Sequence, residues 1–300
     1  MIFLNLAWML FCVLSCYGVV WFFKHGRTWA EGPAKGPVSS DVAEAEVPPA
    51  PRGADVMVFF AVWLVVQLGF MGLLLDFTVH PRLSVSVAEG FDLLLPDVTP
   101  PFLLIIANLL GQCMTLALML PFASAVRGLP QALGLDRVPN LRHIFLLAFL
   151  WLCFVVPCFT VEQLWRAFLE WVGHKPFQQF ALQTYADSVA EGDVLTIVAV
   201  SVSAVGLAPV LEELLYRGML HSFLRQNAGL VVAMLVSGAF FSVMHMVPSV
   251  LLPLFVMGCL LSAIFEWRRS LWDCIFFHAF FNFCSLLVAT LFVLWGLPRS

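Results

Sequence analysis

Long apolar runs alternate with short polar stretches along this chain, and the apolar runs have the length of membrane spans. A helix needs about 20 apolar residues to cross the hydrocarbon core of a bilayer. The pattern therefore predicts an all-α membrane protein with about eight transmembrane helices, its chemistry lying in the C-terminal ones. The predicted spans lie near residues 2–23, 55–75, 102–125, 144–169, 194–224, 229–247, 250–266 and 271–297.

The polar stretches suggest how the chain is organised. Residues 30–54 are rich in Ala, Pro and Gly and bury too little apolar surface to fold, which predicts a flexible loop. The first span lacks a clear cleavage site, so we interpret it as an anchor and not as a signal peptide. The predicted parts are an N-terminal transmembrane anchor with its loop, accessory transmembrane helices, and a C-terminal core, at 1–54, 55–193 and 194–297.

Composition and charge narrow the class of protein. The chain is 61% apolar and 11% charged, and its net charge is −4 without any basic stripe, which argues against a nucleic-acid partner. All eight cysteines fall in predicted spans and none forms a Cys-x-x-Cys pair, so we expect small packing residues and no disulfide framework. Eleven of the fifteen Lys and Arg fall in odd-numbered loops, which predicts that both termini lie outside.

A charged cluster, Glu212-Glu213-Leu214-Leu215-Tyr216-Arg217, interrupts one apolar run. Each ionisable side chain within a membrane helix costs roughly 2.5–3.5 kcal/mol on insertion scales, so the cluster needs a structural or chemical reason. Glu213 and Arg217 have the i,i+4 spacing of a helical ion pair. Glu212 is rotated by about 100° from Glu213 and has no local cation, which leaves it free to face a cavity.

The helix after this cluster brings His245 into consideration. A turn near 227–229 predicts a helical hairpin in which Glu212 and His245 both lie about 23 Å from the turn. We therefore expect the two side chains at similar depth, as candidates for direct contact. Pro209, three residues before Glu212, predicts a local break or kink.

Two further polar residues, His278 and Asn282, share a helix face in the last span, and we expect them to point toward one shared partner. A buried carboxylate beside an imidazole can activate a water molecule. Two additional donors can stabilise the oxyanion that forms when a carbonyl becomes tetrahedral. Together these residues are the parts of a hydrolase.

Three ordered motifs now resemble a known family. They are Glu-Glu-x-x-x-Arg (Glu212, Glu213, Arg217), Phe-x-x-x-His (Phe241, His245) and His-x-x-x-Asn (His278, Asn282). They look like the motifs of the CPBP family, which are CAAX-protease and bacteriocin-processing intramembrane proteases. This family includes the type II CAAX prenyl endopeptidases. The resemblance covers roughly residues 195–285.

The resemblance implies hydrolysis of a peptide bond in a membrane-associated protein or peptide, without a cofactor, by a multi-pass protein of a bacterial inner (cytoplasmic) membrane. Glu212 and His245 would activate the water, and His278 and Asn282 would form the oxyanion site. Glu213 and Arg217 would be supporting residues.

Three alternatives remain open from the sequence. Glu212, His245 and His278 can also make a zinc site with an open position, although no His-Glu-x-x-His helix is present. Buried Glu and His also suit a proton- or cation-coupled transporter, but the first four spans hold few charges and no repeat is visible. The third alternative is a catalytically silent relative that acts as a scaffold.

Overall fold

The computed structural model describes residues 13–25, 51–79, 100–125, 133–174 and 179–296, and these ranges are almost entirely helical, without any strand. This confirms the predicted fold class. The nine helices of the described ranges are α1 (13–25), α2 (Gly53–Val79), α3 (Pro100–Ala125), α4 (Leu141–Trp171), α5 (Phe180–Glu191), α6 (Val194–Asn227), α7 (Leu230–Val243), α8 (Leu251–Arg268) and α9 (Leu271–Leu294).

Four described segments are long and apolar enough to cross a membrane, namely α4, α6, α9 and α8 together with the 3₁₀ turn before it. Shorter apolar helical stretches lie at Gly53–Val66, Ile105–Met119 and Leu230–Val243. The protein is therefore of the integral, multi-pass type. The number of eight spans stays a prediction, since residues 2–12 and 297 lie outside the described residues.

The helices group into two compact units that alternate along the chain. The first contains α1, α4, α7, α8, the part of α6 from Glu212 onward and α9 as far as Phe281. The second contains α2, α3, α5 and the remaining parts of α6 and α9. The predicted division at 54 and 193 stays a prediction.

In the first unit, α7 and α8 pack closely because two glycines face each other. A Cβ atom built on Gly258 would lie 2.8 Å from the Cα of Gly238, which no real side chain could occupy. Phe241, Phe265 and Phe277 are almost completely buried in the same unit.

Helix α7 ends at Val243, close to the end of the span predicted near 229–247, and the following loop has a defined conformation. Met246 adopts a φ of 52°, a left-handed conformation that side chains other than Gly rarely adopt. Trp165 Nε1 donates to the Pro248 carbonyl at 2.7 Å, and the Ser242 hydroxyl donates to the Leu251 carbonyl. These bonds hold the loop that follows His245.

In the second unit, α3 and α6 share a polar contact. The Ser203 hydroxyl donates to Gln112 Oε1 at 3.1 Å, and Asn108 Nδ2 lies 3.4 Å from the same hydroxyl. Interhelical bonds of this kind hold helices together in membranes, where lipid supplies no hydrophobic drive. Apolar packing around Phe102, Ile105 and Val200 completes this core.

Helix α6 begins at a side-chain cap. Asp193 accepts hydrogen bonds from the Thr196 amide at 3.1 Å and from the Thr196 hydroxyl at 2.5 Å. The hydroxyl bond is the main cause that lowers the pKa of Asp193 below its usual value. The cap satisfies backbone donors at the helix start and fixes where the motif-bearing helix begins.

Candidate active site

Helix α6 carries the paired glutamates between two π-helical segments, Val202–Leu207 and Leu214–His221. The helix is continuous from Val194 to Asn227, so Pro209 does not break it, while the alternative of a kink stays a prediction. Proline lacks the N–H of an α-helical bond, and the π-helical turn lies directly before the short α-helical piece that contains it. Single π-helical turns are frequent at functional sites.

The ion pair predicted between Glu213 and Arg217 is confirmed. Arg217 Nη1 lies 3.0 Å from Glu213 Oε1, and both side chains are fully buried. The second Arg217 nitrogen, Nη2, donates to the Gly258 carbonyl at 3.0 Å. The guanidinium thus joins α6 to α8 and offsets the charge that Glu213 brings into the interior.

His278 reaches the same carboxylate from α9. Its Nδ1 lies 2.8 Å from Glu213 Oε1, the oxygen that also accepts from Arg217. Asn282, in the second unit, donates instead to the Ala204 carbonyl at 2.7 Å. His278 and Asn282 therefore have different hydrogen-bond acceptors on α6, and a further partner shared by both stays a prediction.

Glu212 differs from its neighbour in exposure and in the partners of its carboxylate. It is half-buried while Glu213 is fully buried, and the Oε2 atoms of both have no hydrogen-bond partner among the described residues. Among the described residues the structure records no hydrogen bond between Glu212 and His245, and their direct contact stays a prediction. Glu212 keeps an uncommitted carboxylate, while Glu213 is engaged by two side chains.

His245 lies just beyond the end of α7 and is half-buried. Its Nδ1 lies 2.7 Å from the Phe241 carbonyl. Because a carbonyl oxygen only accepts, the proton must be on Nδ1, which leaves the Nε2 atom of the ring for other partners. His278 likewise uses Nδ1 for its partner, so within the part of the chain that the structure describes both histidines keep Nε2 uncommitted.

The aromatic ring of Phe241 lies between the polar groups of the first unit. Its centroid is 5.0 Å from that of His245 and 5.6 Å from that of His278, and the Arg217 guanidinium lies 4.7 Å above the ring. Tyr216 packs edge-on against the same ring at 5.5 Å. The sequence marked Phe241 only as a motif residue, whereas the structure shows that it spaces both imidazoles and covers the cation.

Two contacts that support the site have no local signal in the sequence. The Ser237 hydroxyl donates to the Tyr216 carbonyl at 3.1 Å, across the α6–α7 hairpin. Trp165, far from every motif, fixes the loop that follows His245. Both contacts depend on which helices are neighbours, and residue spacing does not reveal that.

The alternative of a zinc site has a geometric requirement. A catalytic zinc needs three protein ligands within about 2.3 Å of one point. Among the described residues, no three His, Cys, Asp or Glu side chains are grouped in a way that could hold a metal ion, and Glu212, His245 and His278 are no exception.

A scan against protein families gave one match, to the family described as type II CAAX prenyl endopeptidase Rce1-like, over residues 193–284. That segment contains all three motifs together with α6, α7 and α8 and much of α9. Searches of curated proteins and of solved structures found no match. The comparison thus confirms the resemblance predicted from the motifs: residues 193–284 are similar to the Rce1-like type II CAAX prenyl endopeptidases.

Proposed function

We propose that this protein is an intramembrane endopeptidase that hydrolyses a peptide bond of a membrane-associated protein or peptide. The family match supports a protease of the CAAX type in general. The observation that carries the finer proposal is the difference between the two adjacent glutamates. The Oε2 atoms of both glutamates are buried without a hydrogen-bond partner among the described residues, but Glu213 Oε1 is engaged by Arg217 and His278, whereas Glu212 has no ion-pair partner in that part of the chain.

In the proposed reaction, Glu212 acts as the general base. Its carboxylate takes a proton from a water molecule while the water oxygen attacks the scissile carbonyl carbon. The same carboxyl group then gives the proton to the leaving amine nitrogen as the C–N bond breaks. His245 positions the water through Nε2, because its Nδ1 is held by the Phe241 carbonyl.

The oxyanion role falls to the residues of α9. With Nδ1 donating to Glu213, His278 can present a protonated Nε2 to the developing oxyanion when its ring is in the imidazolium form. The Asn282 amide has two hydrogens, and only one is needed for the Ala204 carbonyl. The second hydrogen is the proposed contribution of Asn282 to the same oxyanion.

We propose that the reaction needs no metal ion. The sequence lacks a His-Glu-x-x-His helix, and among the described residues no three His, Cys, Asp or Glu side chains are grouped in a way that could hold a metal ion. Metal analysis of the active, purified protein tests this point. Stoichiometric zinc whose removal abolishes cleavage would contradict it.

A comparison of protein N-termini in membranes tests the function even before a substrate is identified. Cells that produce the wild-type protein, Glu212→Gln or Glu162→Gln are compared by N-terminal proteomics. Glu162 is a matched control because it pairs with Arg166 on α4, away from the motifs. We expect new N-termini with wild type and Glu162→Gln that are absent with Glu212→Gln. The same N-termini in all three would contradict the proposal.

A further inference from the structure

A second polar cluster, outside the motifs, lies where α6 and α8 end and α9 begins. We call it the arginine cluster, and it consists of Arg137, Arg225, Arg268 and Arg269. Each of these helices changes from apolar to polar sequence at this point. The cluster therefore lies at the level where a membrane helix meets the lipid headgroups.

Two of the four arginines, Arg268 and Arg137, form contacts that do not involve Glu266. Arg268 Nη1 lies 3.2 and 3.1 Å from the two carboxylate oxygens of Asp273. Arg137 Nη1 donates to the Arg268 carbonyl at 2.9 Å, which fastens the segment before α4 to the α8–α9 turn. Asp273 thus balances Arg268, and no carboxylate among the described residues forms an ion pair with Arg137.

The other two arginines must share a single carboxylate. Glu266 accepts from buried His221 at 2.8 Å and from Arg269 at 2.8 Å, and Arg225 Nε lies 3.3 Å away. The side chains of Arg225 and Arg269 remain 38% and 40% exposed. One negative charge is thus divided among three basic groups, two of which still face outward.

The electrostatics of Arg269 agree with an excess of positive charge. Burial is the main cause that lowers its pKa, Glu266 opposes the change, and the charges of Arg225 and Arg137 lower the pKa further. Arg269 also ends α8 with a φ of 52°, the conformation in which Gly is usual at this position. Arg269 therefore occupies this position although the charges of Arg225 and Arg137 repel it and its left-handed φ is unfavourable for a residue with a side chain.

We propose that the arginine cluster binds the phosphate headgroup of an anionic membrane lipid, with Arg225 and Arg269 as the principal donors. A phosphate diester supplies the negative charge that Glu266 alone does not, and its oxygens match the planar fork of a guanidinium. Basic side chains between helix ends are the usual contacts of such headgroups.

Binding to the purified full-length protein in neutral detergent tests the proposal. Phosphatidylglycerol, phosphatidylcholine or inorganic phosphate is added, and bound lipid is counted by native mass spectrometry while thermal unfolding is followed. We expect saturable binding of phosphatidylglycerol only. Each arginine removed should weaken that binding about fivefold, so Arg225→Gln/Arg269→Gln loses roughly 25-fold.

Two variants control this experiment. The cluster member Arg137 lies just before the start of α4, where Arg142 is also found. Arg166 lies about 36 Å along α4 from Arg142, near the other end of the helix, so Arg166→Gln should bind phosphatidylglycerol like wild type. Arg225→Lys/Arg269→Lys keeps both charges but not the guanidinium fork, so it should bind phosphatidylglycerol more tightly than the double glutamine variant and less tightly than wild type. If the double glutamine variant does not fold, Arg225→Gln and Arg137→Gln are each expected to show the fivefold loss.

Three results would overturn the proposal. The first is equal binding of phosphatidylglycerol and phosphatidylcholine by the wild-type protein. The second is unchanged phosphatidylglycerol binding in the glutamine variants. The third is an equal rise of the thermal unfolding midpoint with inorganic phosphate and with phosphatidylglycerol, which would show that the cluster binds a free anion.

Discussion

His278 Nδ1 lies 2.8 Å from Glu213 Oε1, the same carboxylate oxygen that Arg217 Nη1 contacts. Glu213, the second glutamate of the pair, therefore links α6 to α9. The first glutamate, Glu212, has no such commitment. Adjacent residues of the same type therefore make different contributions, and this difference can be measured.

Replacement of each glutamate separates stability from activity. Glu213→Gln leaves the buried Arg217 without its counter-charge, which should lower the free energy of unfolding by about 3 kcal/mol or more. Glu212→Gln removes no ion pair found in the structure and should leave the unfolding midpoint nearly unchanged. Thermal unfolding of both purified variants checks this, and equal losses would show that the two glutamates have the same role.

The histidines can be tested atom by atom. An asparagine amide nitrogen takes the place of Nδ1 of histidine and provides nothing at Nε2. His278→Asn should therefore keep the bond to Glu213, and His245→Asn the bond to the Phe241 carbonyl, so both proteins should stay folded. Both should lose cleavage if Nε2 is the working atom. Near-normal cleavage by either asparagine variant would remove that histidine from the proposed mechanism.

The sequence predicted only the contacts that lie within one helix. The spacing of Glu213 and Arg217 specified an ion pair, and the pair is present. The partner of His278 lies 65 positions away on another helix, and spacing within α9 contains no information about it. Hairpin arithmetic predicted that Glu212 and His245 lie at similar depth, but residue spacing does not reveal the left-handed conformation of Met246 directly after His245.

The loop after His245 gives a prediction for a residue outside the motifs. Trp165→Phe keeps an aromatic ring but removes the hydrogen bond to the Pro248 carbonyl. We expect a loss of about 1 kcal/mol in stability together with slower cleavage, because His245 is then held less firmly. Trp171→Phe is the control, since Trp171 is 81% exposed. Identical cleavage rates for both variants would show that the Trp165 bond does not position the histidine.

The crossing of α7 and α8 tolerates no added atom. Gly258→Ala places a methyl group against Gly238 and also disturbs the carbonyl that Arg217 uses, so we expect a loss of about 1–3 kcal/mol. Gly206→Ala is the matched control, since a Cβ atom there meets nothing within 4 Å. Chemical unfolding of both variants measures the difference, and an equal effect would mean that the close crossing is not required.

The proposed mechanism depends above all on Glu212 as the general base of a peptide-bond hydrolase. The decisive measurement is the cleavage rate of purified wild-type and Glu212→Gln proteins, reconstituted in vesicles, on a substrate identified from the membrane N-termini. We expect a rate at least about 100-fold lower for Glu212→Gln, with an unchanged unfolding midpoint. A Glu212→Gln protein that cleaves at the wild-type rate would contradict this mechanism.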